Sequence, residues 1–200
     1  MVEVLERGDI SFFYRPSVQP ANAVEVEPGV QSFFMVLSPA GGERHRRLRI
    51  GKKRMPAPSG ERLWGRVERV GSLQRVLADQ MEAERYVTKT RGERYQPAAR
   101  PIGEGCYAFV HHDDHTHLVY RIDRPELEVV PEEIFVPDAA SHVVLFKRVP
   151  PAKAIWTTAG EPSRLDVEGA QLVLVGTDDE PEQQLGIDVL PPSPDAARWS

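Results

Sequence analysis

The chain has 200 residues, 40% hydrophobic and 28% charged, the balance of a folded globular protein and enough length for one large domain or two small ones. Cys106 is the single cysteine and no apolar run approaches the about 20 residues that cross a bilayer, which excludes an internal disulfide and a spanning helix. The formal charge of -5 conceals an asymmetry: residues 1–100 hold 18 Lys and Arg against 12 Asp and Glu, whereas residues 101–200 hold 7 against 18.

That imbalance implies either a polyanion site on the first half, or two halves, or two subunits of a homo-oligomer, that attract each other. Residues 1–7 are acidic and lack the apolar stretch of a leader, so a cytoplasmic location with no membrane partner is expected.

Eighteen prolines and fifteen glycines cut the chain into short elements. Residues 9–15 are aromatic-rich and stop at Pro16, as a strand would. After a Pro-rich loop, residues 32–37 form an apolar run, 38–42 a turn, and 44–54 a basic strand with Leu48 and Ile50 on one face and Arg47 and Arg49 on the other. Residues 33–50 therefore read as a hairpin, and 62–70 as another strand. Ser72 is an N-cap candidate, and Leu73, Val76, Leu77 and Met81 recur at helical spacing, which predicts a helix over 72–84. Residues 87–105, broken by Pro97, Pro101, Gly103 and Gly105, read as a linker. Residues 106–122 read as a hairpin turning at Asp113-Asp114, with further strands at 141–149 and 170–176, a lesser helix near 180–185 and a loose tail at 191–200. The expected fold is α+β, mostly antiparallel strands with one clear helix: a basic half at 1–86, the linker, and an acidic half at 106–190. The strand order recurs faintly, so two similar packed halves are the expected architecture.

The strings Gly-Asp-Ile-Ser-Phe-Phe-Tyr-Arg-Pro, Lys-Thr-Arg-Gly-Glu-Arg, Ala-Arg-Pro-Ile-Gly-Glu-Gly-Cys-Tyr-Ala and His-Thr-His-Leu-Val-Tyr resemble a family of uncharacterised prokaryotic proteins. The resemblance covers most of residues 4–176. It implies one integrated unit and no activity.

Two clusters carry candidate chemistry. Seven of the eleven residues from Arg44 to Arg54 are Lys or Arg; Arg46, Arg47, Arg49 and Lys52, joined by Arg91, Arg94 and Arg100 in the glycine-bearing stretch that follows, are the expected contacts for nucleic acid or a phosphorylated ligand. A solvated face, or a partner for the acidic half, competes with that reading. A two-residue turn at Asp113-Asp114 would set His112, His115 and His117 on one face, ligand types that suit a divalent transition metal such as zinc, nickel or ferrous iron. The spacing matches no standard metal motif, and a hydrated turn tip explains the same residues. Cys106 opens an apolar strand and reads as a small buried hydrophobe rather than a nucleophile. A non-enzymatic protein binding an anionic partner is the expectation, with a metal-binding protein or small metal-dependent enzyme as the alternative.

Overall fold

The computed structural model describes residues 2–22, 29–125, 131–148 and 155–177. In chain order its strands are β1 (Val2–Pro16), β2 (Gln19–Pro20), β3 (Val30–Pro39), β4 (His45–Ile50), β5 (Arg62–Gly71), β6 (Glu84–Thr88), β7 (Gly92–Gln96), β8 (Arg100–His112), β9 (His115–Pro125), β10 (Ala139–Arg148), β11 (Ile155–Thr157) and β12 (Gln171–Gly176). Among the described residues the one α-helix is α1 (Leu73–Val76), with short 3-10 turns at Asp79–Met81 and Pro162–Leu165.

Eight strands close into an antiparallel barrel in the order β1-β3-β4-β5-β12-β10-β9-β8, with β8 returning to β1. The first half supplies one four-strand meander and the second half another; they meet first strand to first strand, β1 on β8, and last to last, β5 on β12. A smaller sheet, β2-β7-β6, lies outside the barrel.

Strand alternation fills the interior. Ile10 and Phe12 on β1, Phe33, Met35 and Leu37 on β3, Leu48 and Ile50 on β4, Tyr107 and Phe109 on β8, and Leu118 and Tyr120 on β9 belong to one buried cluster, as expected where eight strands leave a bore that side chains just fill. Phe12 stacks on Phe33 at 5.8 Å between ring centroids and tilts against Tyr120 at 5.2 Å. Each enclosed aromatic contributes about 1.5–3 kcal/mol of apolar burial. Where β8 presses hardest on β9, only glycine fits: a Cβ on Gly105 would stand 1.9 Å from the Arg121 carbonyl oxygen, beside a register shift at Glu104/Gly105.

The α+β expectation is corrected. The described residues are nearly all β, 60% strand and 7% helical, and the halves are two walls of one barrel rather than two packed α+β units. The helix expected over 72–84 ends after one turn. Ser72 does cap it, accepting a hydrogen bond from the Arg75 N-H at 3.3 Å. The guanidinium of Arg47, however, donates to the carbonyls of Val76 and Ala78, each at 2.9 Å, acceptors that a continuing helix would give to its own N-H groups. Residues 87–105, expected to link the halves, run through the β6–β7 hairpin and into β8, because proline is tolerated at edges and strand starts. The expected helix near 180–185 and tail at 191–200 lie outside the described residues.

Candidate functional site

Strand parity divides the basic run of β4 between the two faces of the barrel wall. Arg46 pairs with Leu37 and so shares the inward face with Leu48 and Ile50. It is 2% exposed, and every guanidinium nitrogen has a carboxylate: Nε donates to Asp166 at 2.7 Å, and the two terminal nitrogens donate to Glu6 at 2.7 and 2.9 Å. Tyr107 donates its hydroxyl to the same Glu6 at 2.6 Å. Burial works against the charge on Arg46, but the hydrogen bonds to Glu6 and Asp166 outweigh it and its pKa stands above the ordinary arginine value. This ion cluster closes one end of the barrel under a pocket of about 430 Å³ that Glu43 and Arg44 also line.

Arg47 and Arg49 face outward. Both guanidinium carbons lie over the Phe34 ring, at 5.5 and 5.4 Å from its centroid, and Arg49 Nε lies 2.7 Å from Glu68. Arg47 is enclosed at 1% exposure; burial, with Arg69 and Arg49 adding to it against the pull of Glu68, lowers its pKa. Across to β5, Arg47 stands opposite Arg69, and Arg49 opposite Arg66. Two like-charged pairs thus face each other directly, an arrangement that is unfavourable by itself. Arg69 reaches Asp79 at 3.1 Å. Arg66 is exposed, and among the described residues no carboxylate lies within ion-pair distance of it. The wall opens here into a pocket of about 290 Å³ lined by Arg47, Arg66, Arg69, Glu68, Gln80 and Glu168. Three guanidinium groups and a side-chain amide face two carboxylates across it, one of which, Glu168, is drawn to Arg75 at 2.9 Å.

The remaining basic candidates scatter. Lys52 lies 3.7 Å from Glu61, which also pairs with Arg54 at 2.6 Å. Arg91 is exposed near the tip of the β6–β7 hairpin, Arg94 donates to the Val18 carbonyl at 3.3 Å, and Arg100 donates to the Tyr14 hydroxyl at 3.3 Å. The structure therefore brings Arg47 and Arg49 together, turns Arg46 inward, and sets Arg91 and Arg94 on the outer sheet. Sequence reading missed Arg66 and Arg69. The signal for Arg66 was present in Arg62-Leu-Trp-Gly-Arg66, where Arg62, Trp64 and Arg66 alternate with Leu63 and Gly65 on one strand, whereas Arg69 lies beyond a register shift that the alternation does not announce.

The β8–β9 hairpin turns at Asp113-Asp114, with His112 opposite His115 and Val110 opposite His117. The metal expectation is nevertheless corrected: among the described residues no group of three or more His, Cys, Asp or Glu side chains could hold a metal ion. The His112 and His115 rings are 6.4 and 6.3 Å from that of His117, His115 is held by Asp114, and His117 shares a hydrogen bond of 3.1 Å with the Ser141 hydroxyl. Burial, then the neighbouring His115, pushes His117 down to about 4. Cys106 is fully buried and burial pushes its thiol up to about 11, which keeps the nucleophilic thiolate out of reach at neutral pH.

Among the described residues no helix is long and apolar enough to cross a membrane. Compared with known protein families, curated proteins and solved structures, the chain matches none.

Proposed function

We propose that the protein is a non-enzymatic binding protein that holds a polyphosphorylated partner on the outer β4–β5 wall. Arg49, Arg66 and Arg69 make the contacts, and Arg47, locked by its carbonyl acceptors, forms the floor. The supporting observation is the double arginine pairing across adjacent strands, Arg47 on Arg69 and Arg49 on Arg66, beside an open pocket. A bound anion lying between the pairs relieves their mutual repulsion and takes up the guanidinium of Arg66, which has no carboxylate partner among the described residues, while competing with Glu68 for Arg49 and with Asp79 for Arg69. Arg46 is left out, since its donors are committed to Glu6 and Asp166. The outward arginines of the β4–β5 wall are the reverse of what a lipid-facing surface needs, which supports a partner met from water at that wall.

Calorimetric titration with a short inorganic polyphosphate tests this. Binding is expected at low salt, with log affinity falling on log salt at a slope of about -2 for three contacts. The triple change Arg49→Gln, Arg66→Gln and Arg69→Gln is expected to abolish it. No heat at low salt with the unaltered protein, or full binding by the triple variant, would overturn the proposal.

A further inference from the structure

The strand that carries the arginine pairs also presents an aromatic surface, and together they indicate which polyphosphate fits. On β5 the outward positions alternate Arg62, Trp64 and Arg66, while Leu63 and Val67 point inward. Trp64 is 58% exposed, the most exposed aromatic side chain among the described residues. A large indole left in water on a strand, flanked by two arginines that have no carboxylate partner among the described residues, is a costly surface unless something covers it.

The indole does not stand alone. Trp64 lies opposite Val173 on β12, which in turn lies opposite Leu145 on β10; at the far side Trp156 on β11 pairs with Lys147 of β10. The two indoles meet edge to face, with ring centroids 5.0 Å apart and planes at 81°. An edge-to-face pair uses one face of one ring and none of the other, so it fixes both indoles while leaving at least one face of each clear of its partner ring. Lys147 holds its ammonium 6.0 Å from the Trp156 centroid and donates to Gln171 at 2.7 Å. From Arg49 to Trp156 the strip crosses β4, β5, β12, β10 and β11, about 19 Å of wall at about 4.8 Å per strand. It runs from guanidinium groups at one side to aromatic faces and an ammonium at the other.

Resting on the arginine wall read above as an anion site, we propose that the partner is single-stranded nucleic acid, its phosphates held by Arg49 and Arg66 and its bases stacked on Trp64 and Trp156. Cationic side chains that track a phosphate chain, interleaved with aromatic platforms, suit this ligand, because every base has a face to stack and a single strand leaves those faces open. A duplex hides them, and a peptide carrying one phosphate would use the arginines and leave the indoles bare. The strip has room for about four nucleotides, the lower end of what a small β-barrel holds.

The test uses the full chain and four probes: an oligodeoxythymidylate, an abasic oligonucleotide of equal length, a duplex of equal length, and inorganic polyphosphate. The oligodeoxythymidylate is expected to bind about a hundredfold more tightly than the abasic strand, about tenfold for each of the two stacked bases, and to quench tryptophan fluorescence. Trp64→Ala is expected to remove about tenfold of that margin while leaving the abasic and polyphosphate affinities unchanged, and Trp64→Phe to restore most of the loss; an unchanged circular dichroism spectrum shows that both variants keep the barrel. Equal affinity for the thymidylate and abasic strands, with polyphosphate still bound, would overturn the nucleic-acid assignment and leave the arginine site standing. Failure of all four probes removes both, and a duplex bound as tightly as the thymidylate strand overturns the single-strand choice.

Discussion

Arg46 shows how much a single enclosed charge depends on distant residues. Its partners, Glu6 and Asp166, are 40 and 120 positions away in sequence, and losing the guanidinium leaves two carboxylates facing each other at the end of the bore. Arg46→Leu is therefore expected to lower stability by about 3 kcal/mol in urea denaturation, and adding Glu6→Gln to recover part of the loss. The exposed Arg66→Gln should stay within about 0.5 kcal/mol of the unaltered protein. Parity alone placed Arg46 with Leu48, so its inward direction was legible in the sequence. What was not legible was that an arginine could stay there, because the acids that neutralise it come from other parts of the chain. His142 is a second buried polar side chain, 2% exposed, with neither ring nitrogen hydrogen-bonded among the described residues and its ring 5.8 Å from that of Tyr120. Burial, helped by His117, pushes it down to about 4. The folded chain keeps this imidazole and that of His117 neutral while the unfolded chain protonates both below about pH 6.5, so stability is full above that pH and declines towards pH 4 by about 1.4 kcal/mol per unit for each of the two. Denaturation midpoints measured between pH 7.5 and 4.5 should show this combined slope, and His142→Phe should reduce it by about half.

Among the elements, the hairpins were readable and the helix was not. β3–β4 and β8–β9 carry their signals locally, in alternation and in turn residues, and Asp113 accepts the required left-handed backbone at φ 57°. The stretch after Ser72 has helical spacing too, but Val76 and Met81 are buried against strands and Arg47 takes the carbonyls, a tertiary claim that no local pattern announces. The outer sheet β2-β7-β6 differs from the barrel in enclosure: β6 is exposed at four of its five positions. Its amides are expected to exchange with solvent well before those of β1, β8 and β9 in native-state hydrogen exchange, and protection equal to theirs would contradict this. Gly105→Ala, which drives a Cβ into the Arg121 carbonyl, should cost about 1–3 kcal/mol by the same denaturation measurement.

For the molecule as a whole, the charge asymmetry has a partial structural account. Arg46–Asp166, Lys53–Glu133 and Arg75–Glu168 each join the basic half to the acidic half, while the β4–β5 arginines face outward. Closure through β1–β8 and β5–β12 makes neither wall complete without the other. Thermal unfolding is expected as one transition, with tryptophan fluorescence and far-ultraviolet dichroism coinciding; two separated steps would mean that the halves are independent. Closure also bears on how the molecule is made. The partner that β5 lacks ends at Gly176, so a chain leaving the ribosome carries bare hydrogen-bonding edges through most of its synthesis. Its period of greatest hazard is birth rather than maturity, when chaperones or swift completion of translation must shield those edges from neighbouring nascent chains.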